Sequence, residues 1–130
     1  MEINLNIENS HKYQIPAESD IKKTIANVLK KKNIEGEFEV DVKFVDASEI
    51  HALNCEYREI DKPTDVLSFP IQEKATLSKL IPGRKKSSQD LNAPILLGDI
   101  VLCPDEALEP ILKLIEHSTL HLLGFHHKED

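Results

Sequence analysis

The stretch His117-Ser-Thr-Leu-His121-Leu-Leu-Gly124-Phe-His126-His127 carries four of the six histidines in this chain of 130 residues. His117 and His121 are spaced i, i+4, so on a helix both imidazoles leave the same face, one turn apart. Gly124 predicts the end of that helix, because glycine adopts positive φ without a Cβ clash, and a chain that turns there brings His127 toward the pair. Three such imidazoles can bind Zn²⁺ and leave a fourth position open for water. The stretch therefore predicts a zinc site, and the alternative is a polar helix end whose histidines only face solvent.

The residues just upstream predict that this helix is central to the fold. Pro104 opens a helical region, and Pro110 predicts a break or kink within it. Beyond Pro110 the helix is apolar nearly all round, which is typical of a buried helix. The apolar residues are Ile111, Leu112, Leu114, Ile115, Leu120, Leu122 and Leu123.

Further upstream, alternating or continuous apolar runs predict four strands, at residues 2–8, 37–44, 64–69 and 95–103. Gly98, inside the last of them, predicts a bulge or a close backbone approach. Residues 72–94 lose the pattern and predict a loop, which at this length is usually functional or disordered.

Two helices are predicted between the first three strands. Ser19 or Asp20 caps one that runs to about Lys32, and Ser48 caps a shorter one over residues 49 to about 57. The inward positions of the shorter helix are Ile50, Leu53 and Tyr57. The order β-α-β-α-β-loop-β-α predicts a single small α+β domain over residues 1–130, a sheet backed by helices.

Composition places the chain among soluble cytoplasmic proteins. No apolar run approaches the ~20 residues that span a bilayer, and the alternating, acidic N-terminus resembles neither a signal peptide nor a transit peptide. Cys55 and Cys103 lie far apart and outside CxxC spacing, so both are expected to be reduced and packed. The net charge of −7 argues against coating nucleic acid through bulk charge, although Lys and Arg clusters leave room for a local basic rim.

The predicted zinc site favours hydrolysis, because zinc with an open position lowers the pKa of bound water to about 7. Zinc peptidases carry a Glu general base directly after the first His, but here Ser118 takes that position, which disfavours peptide hydrolysis. Phosphodiester cleavage instead needs a positive charge near the phosphate. Arg58, one of two arginines, lies at a predicted helix-to-strand junction and is the candidate; considered alone, it is more often a surface ion-pair partner.

Three blocks of the sequence match motifs of one family. Residues 117–127 are similar to H-G-x-L-H-L-x-G-Y-D-H. Residues 54–70, N-C-E-Y-R-E-I-D-K-P-T-D-V-L-S-F-P, resemble N-x-x-Y-R-x-x-D-x-P-T-D-V-L-S-F-P, and residues 97–103, L-G-D-I-V-L-C, resemble L-G-D-I-V-I-C. With these three blocks in this order, nearly the whole chain resembles the YbeY family of metal-dependent single-strand endoribonucleases, which act in ribosomal RNA maturation.

The resemblance implies an α+β fold with a small mixed four-stranded sheet and a central helix carrying HxxxH. It implies one zinc per chain on His117, His121 and His127, and nickel also accepts imidazole ligands. It implies that Arg58 acts in RNA cleavage or in phosphate binding. The residues implied to line the same cleft as substrate-binding groups are Thr64, Asp65 and Ser68.

Asp65 and Asp99 are also expected to orient ligand imidazoles through hydrogen bonds, and the alternative for Asp65 is an Asx-type turn cap. The chain departs from the family motif at Ser118 for Gly, Phe125 for Tyr and His126 for Asp. His126 thereby becomes a rival donor to His127. The segment between Pro104 and His117 is also shorter than the family's, and a further C-terminal helix is usual in the family.

The implied function is zinc-dependent cleavage of single-stranded RNA in ribosomal RNA processing, namely small-subunit rRNA 3′-end maturation, and in ribosome quality control. The implied partners are rRNA and a ribosomal subunit or ribosomal proteins, with no membrane. Either a zinc-bound water or the RNA 2′-OH could attack the phosphodiester. Two alternatives stay open: a zinc hydrolase of a small amide or peptide, and a non-catalytic ribosome-associated zinc module.

Overall fold

The structure, a computed structural model, describes residues 2–71 and 94–125. Its strands are β1 (Glu2–Glu8), β2 (Glu37–Phe44), β3 (Val66–Pro70) and β4 (Ile95–Leu102). Its α-helices are α1 (Glu18–Lys31), α2 (Ala47–Arg58) and α3 (Ile111–Leu122), and a 3-10 turn spans Pro104–Glu106. The predicted loop at residues 72–94 lies outside the described part apart from its last residue.

The four strands form one mixed sheet in the order β1-β2-β4-β3. β1 and β4 both run parallel to β2, and β3 is antiparallel to β4. β2 shows why the pattern was readable: its apolar side chains alternate strictly and are all buried on one face. The predicted α+β class with a mixed four-stranded sheet is confirmed.

Helices cover both faces of this sheet. On one face, α1 and α3 bury Ile25, Leu29 and Ile115 against the alternating apolar side chains of β2 and against Ile100. On the other face, α2 forms a smaller cluster around its buried Ile50. The other buried members of that cluster are Val45, Leu67, Val101 and Cys103. The sheet therefore separates α3 from α2, and β3 at the edge is the strand near both.

Gly98 confirms both expectations placed on it. The β2–β4 register shifts beside it, as in a bulge, and its φ is +142°. A Cβ at this position would clash with the Phe69 carbonyl oxygen and lie 3.0 Å from both Leu122 Cδ2 and Pro70 Cα. Glycine here lets β3 and α3 approach β4 closely.

The predicted helix caps were wrong by a few residues. α1 begins after Ala17, whose carbonyl accepts the first helical hydrogen bonds, and no side chain caps it. α2 is capped by Asp46 rather than Ser48, and the Asp46 carboxylate accepts a bond of 2.9 Å from the Glu49 amide. Both helices start earlier than predicted, because the capping residue must precede the first helical turn.

The structure changes one further boundary, confirms another and exposes one of the two cysteines. β3 starts at Val66 rather than residue 64, because Val66 pairs with Leu102, the last residue of β4. The predicted break at Pro110 is confirmed, since α3 begins directly after it. Both cysteines are free, but only Cys103 is buried; Cys55 is exposed on α2, so the expectation that it is packed was wrong.

Among the described residues, no helix has the length and apolar character to cross a membrane.

Candidate active site

A cleft of about 900 Å³ lies between the C-terminal end of α2, strand β3 and helix α3. The sequence-predicted site residues that line it are Arg58, Thr64, Asp65, Ser68, His117 and His121. These six residues come from three separate parts of the chain, and folding brings them to one concave surface. This arrangement is the usual setting of a ligand site.

Helix α3 presents the two histidines to the cleft because its other face is committed to the core. Ile115 and Leu122 are buried, whereas His117 and His121 are half-buried and line the cleft one turn apart. The i, i+4 spacing therefore places both histidines on the cleft side of α3, and their role as metal ligands stays a prediction.

The end of α3 follows the prediction made from Gly124. Its φ is +87°, its amide donates to the His121 carbonyl, and the Phe125 amide donates to the Leu120 carbonyl, both at 2.9 Å. This pair of bonds is the Schellman motif that ends helices at glycine. His126 and His127 lie outside the described residues, so the third ligand and its rival remain predictions.

Ser118 ties α3 to the opposite wall of the cleft. Its side chain is buried, and its hydroxyl lies 2.7 Å from that of Ser68 on β3. Zinc peptidases carry their general base at this position. Here the residue is a serine, and its hydroxyl bonds to Ser68 on the opposite wall.

Arg58 occupies the last turn of α2 and is exposed at the cleft. The next residue, Glu59, ends the helix in the left-handed conformation at φ +58°. Asn54, one turn before Arg58, then anchors the departing chain. Its side-chain amide nitrogen donates to the Lys62 backbone carbonyl at 2.9 Å, and its backbone carbonyl accepts from the Ile60 backbone amide at 3.3 Å. Sequence reasoning missed Asn54, although a buried polar residue on an amphipathic helix is the signal that could have found it.

The segment that leads into β3 carries Thr64 and Asp65. The Thr64 hydroxyl donates to the Asp65 carboxylate at 3.3 Å, and the Asp65 carbonyl accepts from the Cys103 amide at 2.9 Å. The backbone bond holds this segment beside the end of β4, so both side chains stay at the cleft.

Tyr57 was predicted to point inward, and that expectation was wrong. Its side chain is 62% exposed and lines the cleft, with its ring set edge-on to that of Phe69 at a centroid distance of 5.2 Å and an angle of 73°. Tyr57 lies on the same helical face as the buried Ile50, but the last turn of α2 lies over β3, where the Tyr57 ring meets Phe69. Because β3 is the edge strand, the core does not extend beneath this turn.

Asp99 was expected to orient a ligand imidazole, and the structure places it elsewhere. Successive side chains in a strand point to opposite faces, and its neighbour Ile100 faces α1 and α3. Asp99 is therefore on the face away from His117 and His121, in register with Asp41 of β2. Burial, the charge of Asp41 and a hydrogen bond with it raise the pKa of Asp99.

A second group of metal-type donors lies away from the cleft, at the start of α2. His11 Nε2 is 2.7 Å from Glu49 Oε1 and 3.7 Å from Asp46 Oδ2, and one donor atom from each residue falls within 4.8 Å of the others. The hydrogen bond with Glu49 raises the pKa of His11. A protonated imidazole offers no lone pair to a metal, so this arrangement favours an ion pair until His11 loses its proton.

Comparison with known proteins identifies the family of this chain. The family model described as Endoribonuclease YbeY matches residues 5–130. Proteins named Endoribonuclease YbeY are similar to this chain. The one from Thermoanaerobacter sp. (strain X514) is 37% identical over 127 residues, which cover 89% of this chain and 78% of that protein.

Two further proteins of that name come from other bacteria. The one from Rhizorhabdus wittichii is 44% identical over 103 residues, covering 71% of this chain and 57% of the relative. The one from Clostridium botulinum (strain Langeland) is 34% identical over 140 residues, covering 96% of this chain and 84% of the relative. With a family model that spans all but the first four residues and relatives above 30% identity over most of both chains, this chain belongs to the Endoribonuclease YbeY family.

Proposed function

We propose that this protein is a metal-dependent endoribonuclease that cleaves single-stranded RNA in the cleft between α2, β3 and α3. Its biological substrate is ribosomal RNA, with small-subunit rRNA 3′-end maturation and ribosome quality control as its processes. The observation that carries the proposal is the convergence of Arg58, His117 and His121 on one cleft. Family membership supports the endoribonuclease activity.

The cleft fits a divalent metal with nitrogen ligands. His117 and His121 line it from one helical face, and neutral imidazoles suit Zn²⁺ and also Ni²⁺. We assign the third position to His127, with His126 as the rival donor. A bound zinc would supply Lewis-acid polarisation of a phosphoryl oxygen and a more acidic water.

Arg58 supplies the positive charge that phosphodiester cleavage needs. Guanidinium binds phosphate oxygens in a bidentate fashion and stays charged at any working pH. Its place at the end of α2, with the chain behind it anchored by Asn54, limits where the guanidinium can reach. Removing one preorganised donor of this kind typically costs 10²- to 10³-fold in rate.

Thr64, Asp65 and Ser68 are proposed to contact the substrate from the β3 side of the cleft. The Thr64 hydroxyl and the Asp65 carboxylate already bond each other, so they would meet RNA as a pair. The Ser68 hydroxyl shares one bond with Ser118 and keeps further capacity, because a hydroxyl has one donor and two acceptor sites.

The net charge of −7 limits how this protein can attract RNA. Long-range attraction of a polyanion is weak for an acidic protein, so contact must come from a local basic rim or from a partner. Arg58 is exposed and lines the cleft, and Lys62 is exposed four residues further along the chain. Lys62, Arg84, Lys85 and Lys86 are proposed to complete the rim. A ribosomal subunit or its proteins would present the RNA, in the cytoplasm.

The test is metal analysis paired with cleavage of end-labelled single-stranded RNA. His121→Ala should lose both bound metal and cleavage, whereas Arg58→Ala should keep the metal and lose at least roughly 10²-fold in rate. His51→Ala is the matched control, because it removes a histidine that neither lines the cleft nor belongs to the His11 group, and it should keep both properties.

Three results would overturn the proposal in different ways. Full RNA cleavage by metal-free His121→Ala would remove the metal requirement. Stoichiometric zinc without turnover of RNA would indicate a non-catalytic module. Hydrolysis of peptides or small amides in place of RNA would indicate the zinc hydrolase that Ser118 disfavours.

A further inference from the structure

Tyr57 is a large aromatic side chain held out into the cleft. Of the exposed large hydrophobic residues that the structure describes, it is the one that lines the cleft; Ile71, Leu108 and Phe125 do not. The Phe125 ring already has a partner, because the Lys32 ammonium lies 4.5 Å from its centroid. The Tyr57 ring is therefore the exposed aromatic surface that the described part of the chain presents to the cleft.

We propose that the Tyr57 ring is a stacking platform for one base of the single-stranded RNA substrate, next to the phosphate that Arg58 contacts. The inference rests on the proposed function, since it names a subsite of the same cleft. Aromatic side chains bind single strands in this way, because every unpaired base presents a flat π-face.

The packing of Tyr57 prepares it for this role. Its contact with Phe69 is edge-on, and this arrangement holds the ring while leaving it 62% exposed. The ring belongs to the last turn of a capped helix, and the Asn54 bond to Lys62 fixes the chain beyond that turn. Little conformational freedom remains to be lost on binding, which favours affinity.

The neighbours of Tyr57 match the two ends of a nucleotide. Arg58 follows it directly in α2, and both side chains line the same cleft, so the cleft offers a flat apolar group for a base and a cation for a phosphate. A peptide or small amide substrate would have no comparable need for this pairing.

Stacking also supplies affinity for RNA that the negative net charge of this protein does not weaken. A net charge of −7 weakens electrostatic attraction to RNA, whereas base stacking depends little on charge. One base–aromatic stack is worth roughly 5- to 150-fold in affinity. Bases inside a duplex already stack on each other, so the platform favours single strands.

The first experiment measures kcat and KM on a short single-stranded RNA. Tyr57→Ala should raise KM roughly 5- to 150-fold with kcat largely retained, and Tyr57→Phe and Tyr57→Trp should stay near wild type because both keep the ring. Leu108→Ala, which removes a 96% exposed apolar side chain outside the cleft, is the control and should change neither constant.

Tyr57→Leu separates stacking from simple cover over Phe69, because leucine keeps apolar bulk but has no flat face. It should behave like Tyr57→Ala. Wild-type KM in Tyr57→Leu, or a Tyr57→Phe variant as weak as Tyr57→Ala, would overturn the inference in favour of packing or of the phenol hydroxyl, respectively.

The second experiment removes bases from the RNA one nucleotide at a time. Wild type should lose affinity at one abasic position by about the factor seen for Tyr57→Ala, and Tyr57→Ala should lose nothing further there. Additive losses at every position would show that no base stacks on Tyr57. If wild type fails to cleave RNA at all, the proposed function fails; if wild type cleaves and Tyr57→Ala matches it, only the stacking inference fails.

Discussion

The Ser118 hydroxyl lies 2.7 Å from the Ser68 hydroxyl and joins the histidine-bearing helix α3 to the edge strand β3. The two residues are fifty positions apart in the chain, and Ser118 is 1% exposed. The bond therefore connects two walls of the cleft, with its Ser118 side buried and its Ser68 side half-buried.

Breaking this bond should cost stability from either side. We expect Ser68→Ala and Ser118→Ala each to lower the free energy of unfolding by about 1 kcal/mol, because each leaves a partly or fully buried hydroxyl without its partner. The double variant should cost less than the sum of the two, by roughly 0.5–1.5 kcal/mol of coupling. Urea unfolding measures all three. The exposed Ser19→Ala is the control, and strict additivity of the cleft pair would show that the hydroxyls do not interact.

Gly98→Ala should be among the most damaging single-methyl changes in this protein. The added Cβ meets the Phe69 carbonyl, a backbone atom that cannot rotate away, and the position has φ +142°. We expect a loss of roughly 2–4 kcal/mol from strain and overpacking together.

Gly36→Ala is the matched comparison, because Gly36 has the same φ of 142° but lies in the turn before β2. The difference between the two variants in urea unfolding isolates the cost of the Phe69 contact. Equal losses would mean that backbone strain accounts for the whole effect.

Much of this fold could be predicted because several of its helices and strands bury only one face, so their apolar residues recur at a regular spacing. β2 alternates strictly, so its bounds at residues 37–44 were readable, and Gly98 marked the bulge in β4. The cleft was predictable in part because the HxxxH spacing puts His117 and His121 on one face whatever surrounds the helix.

The wrong predictions concern a strand whose sequence does not alternate and a helix whose last turn lies at the edge of the sheet. β4 is apolar on both faces, so its own pattern could not say which face Asp99 takes; the register with Asp41 decides that. Tyr57 obeys the helical period, but its ring lies against Phe69 of β3, the edge strand of the sheet. Sheet order and element length are tertiary facts, and a local period does not contain them.

Asp99→Asn should raise stability at neutral pH and leave metal content and RNA cleavage unchanged. Burial and the neighbouring Asp41 raise the pKa of Asp99 above its ordinary 3.8 in the folded state. Because the pKa is higher in the folded state, protonation of Asp99 favours folding. This contribution to the free energy of unfolding is fully present below pH 3.8 and is lost as the pH rises through the folded pKa. The variant removes that loss, so its advantage in unfolding midpoint should be largest at neutral pH and shrink in acid.

The same variant checks the corrected position of this side chain. Loss of bound metal in Asp99→Asn would show that the carboxyl reaches the imidazoles of α3 after all. Asp65→Asn is the useful comparison, because Asp65 does line the cleft, and we expect it alone of the two to alter cleavage.

His11 should titrate above the ordinary histidine value, and Glu49 is the main reason. The 2.7 Å hydrogen bond to Glu49 raises the pKa of His11 above 6.5, and the charges of Asp46 and Asp105 add to it. Since the folded pKa is raised, the ion pair stabilises the fold fully below pH 6.5, and this contribution is lost as pH rises through the raised value. In Glu49→Gln the imidazole should titrate closer to 6.5, as followed by NMR of the ring protons.

The stability readout has to follow the same sign. The difference in unfolding midpoint between wild type and Glu49→Gln should be present well below pH 6.5 and small well above the raised pKa of His11. The effect should also shrink in high salt, because the pair is exposed. The His51–Asp61 pair, at 2.8 Å and similarly exposed at its histidine, provides the control through Asp61→Asn, which should leave the His11 titration where it is. An unchanged His11 titration in Glu49→Gln would show that the contact at the start of α2 does not form in solution.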